Sequence, residues 1–353
     1  MTLVVKQDMF VAGQTSRWPA ALLLAPLFLF LSLLSGCQSD PEPRILIHQG
    51  ATMGTSFTVK WLAMDDNPQL RQQIDQALVD VNQSMSTYIN DSELSRINQL
   101  PAGSEVAVSD ELGFVLSVAD RISRETRGAF DATVGPLVNL WGFGPDGRVI
   151  HAPAAEQIAE IRTRVGFQYL DLSQGFLRKQ RDSYIDLSAI AKGYGVDKLA
   201  MVLEQQGIDR YLVEIGGELR AKGIKPDGQN WKIAIESPMV GPERKVQRII
   251  AVKDVGVATS GDYRNYFEEN GIRFSHTIDP VDGKPIRHKL ASVTVLMPTC
   301  AEADAYATAM MVMGPERAEA FAIEQGISAF FIVKADQGFT ERMTPGFKQF
   351  LVQ

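Results

Sequence analysis

The residues whose types and spacing could do chemistry fall in a few short stretches. Asp304 and Thr308 stand four apart in Ala303-Asp304-Ala305-Tyr306-Ala307-Thr308-Ala309, so on a helix both oxygens project from one face. A carboxylate and a hydroxyl so placed suit a hard cation that takes phosphate oxygens as its further ligands. The surrounding alanines would let another backbone approach closely. On an exposed face the same pair would meet only water, and spacing alone leaves both readings open. Asp186-Leu187-Ser188-Ala189 marks a strand giving way to a helix expected over Ser188 to Gln206. Asp186 or Ser188 could cap that helix, and its free N–H groups and dipole would favour a phosphate. Lys192, one turn in, would face a phosphate or solvent. His276, at an expected strand exit in Ser275-His276-Thr277-Ile278-Asp279-Pro280, could serve as a general base or as a satisfied structural histidine.

The elements that must position these residues can be read from periodicity. Leu70, Ile74, Ala77, Leu78 and Val81 give a helical spacing over Asn67 to Ser84, and Leu112, Val115, Leu116, Ala119 and Ile122 repeat it over Asp110 to Arg124. A further helix is expected over Ala154 to Val165. Another opens at Thr299, with Glu302 at capping-box spacing. Strands are expected at Ser56 to Leu62, Tyr211 to Ile215, Trp231 to Glu236, Arg248 to Val252 and Ala291 to Met297, and a pair of short strands within Phe176 to Asp186. Gly216-Gly217 follows one strand as a tight turn where a ligand could come near the backbone. Helices first and then a run of strands without intervening helices predict an α+β fold. Mixed or antiparallel sheets would pack with helices in one compact, two-lobed unit.

The 353 residues carry a net charge of −7 and no basic stretch, which gives no electrostatic footprint for a nucleic-acid partner. No P-loop, no strand-borne G-x-G-x-x-G and no G-x-S-x-G is present, so the common nucleotide folds and serine-hydrolase chemistry lack support. An apolar run from Ala20 to Leu34, preceded by Arg17 and closed by Leu34-Ser35-Gly36-Cys37, reads as a signal peptide and is short of the ~20 apolar residues of a membrane span. Its L-S-G-C end resembles a lipobox, in which Cys37 becomes the lipidated first residue. By the same resemblance Gln38, in place of Asp, favours the outer over the inner membrane in a host with two. The expected organisation is a signal segment over 1–36, a lipidated N-terminus and tether over 37–44, and a catalytic domain over 45–353, exported and facing the periplasm. With Cys37 so used, Cys300 has no intramolecular disulfide partner.

Taken together, Ala51-Thr52-Met53-Gly54-Thr55, Met85-Ser86-Thr87-Tyr88, Ala129-Phe130-Asp131-Ala132-Thr133, Trp141-Gly142-Phe143-Gly144, Asp186 to Tyr194, Glu214-Ile215-Gly216-Gly217-Glu218, Thr259-Ser260-Gly261-Asp262, Ser275 to Pro280 and Ala303 to Thr308 resemble the FAD:protein FMN transferases, the ApbE-type flavin transferases. The motifs follow one order across nearly the whole chain. The resemblance implies that Met53, Tyr88, Phe130, Asp131, Ala132, Asp186, Lys192 and Ile278 line a site for FAD, the substrate. It implies Mg2+, with Mn2+ as a substitute, on the Ala189 carbonyl, Asp304 and Thr308, and His276 as the base. FMN would pass from FAD to a threonine hydroxyl of a partner, releasing AMP. The family's partners are redox subunits of Na+-translocating NADH:quinone reductases and Rnf-type complexes. Two other readings stay open: an Mg-dependent FAD pyrophosphatase, with water as the acceptor, and a flavin-binding lipoprotein with no chemistry.

Overall fold

The main sheet is laid down in chain order. Arg44–Thr52, Thr55–Ala63, Tyr211–Ile215, Glu218–Lys222, Val255–Gly261, Leu290–Met297, Ser328–Lys334 and Phe339–Met343 form eight strands, each antiparallel to the next. The computed structural model describes residues 42–352 apart from 146, 148–150, 240–244 and 264. The expected signal segment, Cys37 and the tether as far as residue 41 lie outside the described residues.

Within this sheet, two connections are two-residue glycine turns. Met53-Gly54 joins Thr52 to Thr55 with φ of 49° and 71°, and Gly216-Gly217 joins Ile215 to Glu218 with φ of 62° and 109°. Positive φ at both central residues gives the turn a twist that matches the strands. The two turns are neighbours: Gly216 N–H donates to Ser56 O at 3.0 Å, and a Cβ at Gly216 would lie 2.8 Å from Thr55 Cγ2.

Alternation along the strands sends side chains to two faces. On one, Phe57, Val59, Trp61, Tyr211 and Val213 meet the helices Pro68–Met85 and Ala191–Gln205. Asn67 caps the first of these, its side chain accepting from the amides of Gln69 and Leu70. On the other, Leu219, Val257, Phe330 and Ile332 are covered by the hairpin Trp231–Glu236/Val246–Val252 and by Phe347. A smaller cluster of Leu137, Trp141, Ile158, Phe274 and Ile278 joins the helices Gly135–Leu140 and Ala155–Arg162 to the hairpin Tyr266–Glu269/Ile272–Ser275. An antiparallel sheet with helices packed on it is the α+β class expected.

The helix Cys300–Met313 is internal; all its residues but Glu302 and Thr308 are buried. Two glycines admit it. A Cβ at Gly193 would sit 2.4 Å from Cys300 O, and one at Gly256 would sit 2.4 Å from Cys300 N. Buried Asp197 then accepts from the amides of Cys300 and Ala301 at 3.0 and 2.9 Å and pairs with Arg220 at 2.8 Å. Thr299 is the N-cap residue, and its hydroxyl also reaches Glu302 Oε2 at 2.8 Å.

Two local expectations shift. The hairpin expected within Phe176 to Asp186 forms between Leu170–Ser173 and Phe176–Lys179, around Gln174-Gly175, both with positive φ. The helix expected from Ser188 begins at Ala191, with Ile190 as an N-cap that offers no side-chain bond. The reason is local: Asp186 Oδ1 accepts from Ser188 N at 2.8 Å and Ser188 Oγ at 2.5 Å, so the aspartate closes a turn and does not cap the helix.

Candidate active site

A cavity of ≈ 480 Å³ lies where the Gly216-Gly217 turn and the end of strand Val255–Gly261 meet the helix Cys300–Met313. Its lining includes Tyr88, Phe130, Asp131, Asp186, Ala189, Lys192, His276, Ile278, Asp304 and Thr308, so ten of the twelve residues singled out for FAD, metal and base converge on one space.

The cation candidates come together by helix crossing. At Gly193 the helices Ala191–Gln205 and Cys300–Met313 approach so closely that Gly193 N–H donates to Asp304 Oδ2 at 3.1 Å. The amino end of the Lys192 helix, read from sequence as a seat for phosphate, therefore holds a carboxylate of its own chain. Thr308, one turn on, lies 3.3 Å from Ser260 Oγ through its hydroxyl. Ala189 lines the same cavity, so the candidate ligands are all oxygens, as a hard cation requires. Among the described residues no group of three His, Cys, Asp or Glu side chains could hold a metal ion. A cation on Asp304 and Thr308 would therefore draw its other ligands from groups outside that set, such as backbone carbonyls, hydroxyls or phosphate oxygens.

Lys192 Nζ lies 2.6 Å from Glu218 Oε1. Burial would lower the Lys192 pKa, but the Asp304 and Glu218 carboxylates outweigh it and hold the ammonium above the ordinary lysine range. Burial, opposed by Lys192 and reinforced by Asp304, pushes Glu218 up.

His276 follows strand Ile272–Ser275 and lines the same cavity. Its Nδ1 lies 3.0 Å from Asn265 O, and a carbonyl only accepts, so Nδ1 bears the proton and neutral Nε2 keeps its lone pair. Burial lowers the His276 pKa, against the Asn265 carbonyl and Asp262, which raise it. The imidazole is therefore neutral near pH 7, as a base must be.

The remaining residues differ in how they serve the wall. Tyr88 lines the cavity while remaining largely exposed, and partial desolvation together with Asp186 raises its phenol pKa. Asp131 is buried with both oxygens used internally, by Thr133 N and Oγ1 at 2.7 and 2.6 Å and by Phe167 N at 3.0 Å, so its carboxylate fixes the loop. Met53 and Ala132 lie outside the lining. Met53 occupies the hairpin turn with its thioether over Gly195, where a Cβ would lie 3.0 Å from Met53 Cε. Ala132 is buried and its carbonyl accepts from Asp186 N at 2.7 Å. Glu218 was not singled out from the sequence; its position after a double-glycine turn was the signal available.

The ApbE family model matches residues 53–331. The chain is 48% identical over 325 residues to the FAD:protein FMN transferase of Vibrio cholerae, covering 91% of this chain and 96% of that protein. It is 40% identical over 345 residues to the one of Escherichia coli, covering 94% and 97%. The structure resembles the apo flavinyl transferase ApbE of Pseudomonas stutzeri with a TM-score of 0.81 at 42% identity, over 88% of this chain and 98% of that one. It matches the flavin transferase ApbE of Vibrio cholerae with a TM-score of 0.81 at 45% identity, over 88% and 100%. With the family model matching residues 53–331, relatives 40–48% identical over nine-tenths of the chain and the fold shared with solved members, this chain belongs to the ApbE family.

Proposed function

We propose that this chain is an FAD:protein FMN transferase that moves FMN from FAD to a threonine hydroxyl of a partner protein and releases AMP. The convergence of Lys192, Asp304, Thr308 and His276 on one cavity carries the reading. Ala189, Asp304 and Thr308 would hold Mg2+, or Mn2+ in its place. When bound, the cation would supply charge neutralisation on the pyrophosphate and the departing AMP.

The protein's own groups do the rest by placement. Lys192 brings positive potential to the phosphates. Phe130, Ile278 and Tyr88 offer the flavin an apolar and aromatic wall. Asp186, fixed by Ala132 O and Ser188, shapes the turn that carries Ala189. Neutral Nε2 of His276 takes the proton of the attacking threonine hydroxyl. A new P–O bond forms from that hydroxyl to the FMN phosphorus, and the bond from this phosphorus to the AMP oxygen breaks. Positioning and electrostatics dominate, as in other phosphoryl transfers.

The acceptors would be exported or membrane-bound redox subunits of the Na+-translocating NADH:quinone reductase or Rnf type, reached from a lipid anchor at Cys37 on the periplasmic side. The test is mass spectrometry of such an acceptor after incubation with this protein, FAD and Mg2+. The expected result is a gain of one FMN on one threonine. FMN released to solution with an unmodified acceptor would overturn the acceptor assignment.

A further inference from the structure

Glu218 opens strand Glu218–Lys222 directly after the Gly216-Gly217 turn and is 5% exposed. One oxygen, Oε1, holds Lys192 at 2.6 Å. The other, Oε2, is buried and has no hydrogen-bond partner among the described residues, although Glu218 lines the cavity. Buried acceptors are nearly always paired, and a charged one without a donor is costly, so a buried orphan on a cavity wall implies a donor that arrives with a ligand. A phosphate cannot be that donor, because it brings only acceptors and negative charge.

The neighbourhood narrows the choice. Lys192, held by Glu218 at 2.6 Å, is followed in the chain by Gly193, whose amide donates to Asp304 at 3.1 Å, so the orphan shares one cavity with the cation candidates. Ala189, Asp304 and Thr308 would supply few oxygens to a cation, and Mg2+ or Mn2+ would take its remaining ligands from phosphate and water. Water on a cation is a strong donor that seeks an outer carboxylate.

We infer that Glu218 is the outer carboxylate of the cation site, holding Lys192 through Oε1 and accepting through Oε2 from a water bound to the cation on Asp304 and Thr308. This rests on the cation reading above. It makes Glu218 a positioning residue that ties the phosphate-facing ammonium to the cation.

The test is titration of the full chain with Mn2+, alone and with FAD, following free Mn2+ by electron paramagnetic resonance. Thermal melting checks that each variant is folded. Glu218→Gln keeps the shape and removes the charge; Glu218→Asp keeps the charge and draws the carboxylate back. Both are expected to bind Mn2+ about 10- to 100-fold more weakly than the native chain. Native affinity in a folded variant of either kind would overturn the assignment. A loss confined to FAD affinity would also overturn it, leaving Glu218 as a holder of Lys192 alone. If the native chain binds no Mn2+ in either condition, the cation reading itself fails and this inference goes with it.

Discussion

The amide of Gly193 donates to Oδ2 of Asp304 at 3.1 Å, so the carboxylate expected to take a cation is aimed by the backbone of a helix 111 residues earlier in the chain. One oxygen is fixed by the protein, and the fixing requires that position 193 have no side chain. Gly193→Ala would place a Cβ 2.4 Å from Cys300 O and 2.8 Å from Ala301 Cα, both backbone. The helices would have to part, at a cost of about 1–3 kcal/mol or more. The expected outcome is a lower melting temperature together with loss of Mn2+ binding, read by calorimetry and titration on one sample.

Asp304→Asn separates aim from charge. The amide oxygen can still accept from Gly193, so the fold should hold, with a melting temperature near native. The anionic ligand is gone, so cation-dependent FMN transfer should fall below detection. Full turnover of the variant at saturating FAD would contradict the role given to Asp304.

His276 predicts a pH profile. Its pKa lies below the usual ~6.5 because burial disfavours the imidazolium. A base acts when neutral, so kcat/KM should rise with pH through the lowered pKa and already be level near neutrality. His276→Ala should lose about 10²- to 10⁴-fold in kcat and abolish that acidic limb. A midpoint above the usual histidine value would count against the assignment.

Asp197 predicts a stability effect. It is the buried acceptor for the first two amides of the Cys300–Met313 helix and the partner of Arg220. Asp197→Ala leaves the guanidinium of a half-buried arginine without this carboxylate, and breaking such a pair costs about 3–5 kcal/mol when it is fully buried. Arg220 also reaches Glu204 at 3.7 Å, so the lower end of that range is expected in chemical denaturation.

Lys179 offers a control away from the cavity. It is fully buried, and Nζ donates to the carbonyls of Ile97, Asn98 and Leu100, the closest at 2.6 Å. Lys179→Met would leave those carbonyls without a donor and lower stability by about 1–3 kcal/mol. The folded fraction should transfer FMN at the native rate, measured against active-site concentration.

What could be read from sequence was local. Asp304 and Thr308 declare their shared face through a four-residue spacing, and the apolar spacing of Leu70 to Val81 and of Leu112 to Ile122 declares two helices. The alanines around Asp304 signalled a close approach, and Gly193 supplies it, but nothing nearby in sequence names that partner. Short-range polar competition hid in the same way: Asp186 spends its carboxylate on Ser188, which delays the helix to Ala191. Met53 and Ala132 belong to the motifs that carry the resemblance yet fall outside the cavity lining, since a motif does not say which way a side chain points. Glu218 went unmarked because a buried carboxylate looks like a surface one until its neighbours are known.

The chain-order sheet has a consequence for how this molecule can vary. Each strand is stitched only to its predecessor and successor, so the excursions between strands are side trips that return to their point of departure. His276 and Asn265 ride on one such detour, between Val255–Gly261 and Leu290–Met297, whereas Asp304 and Thr308 ride on the next. Recutting the first detour outside His276 and Asn265 would leave the sheet and the helix of Asp304 and Thr308 in register, so one wall of the cavity can be rebuilt without disturbing the other.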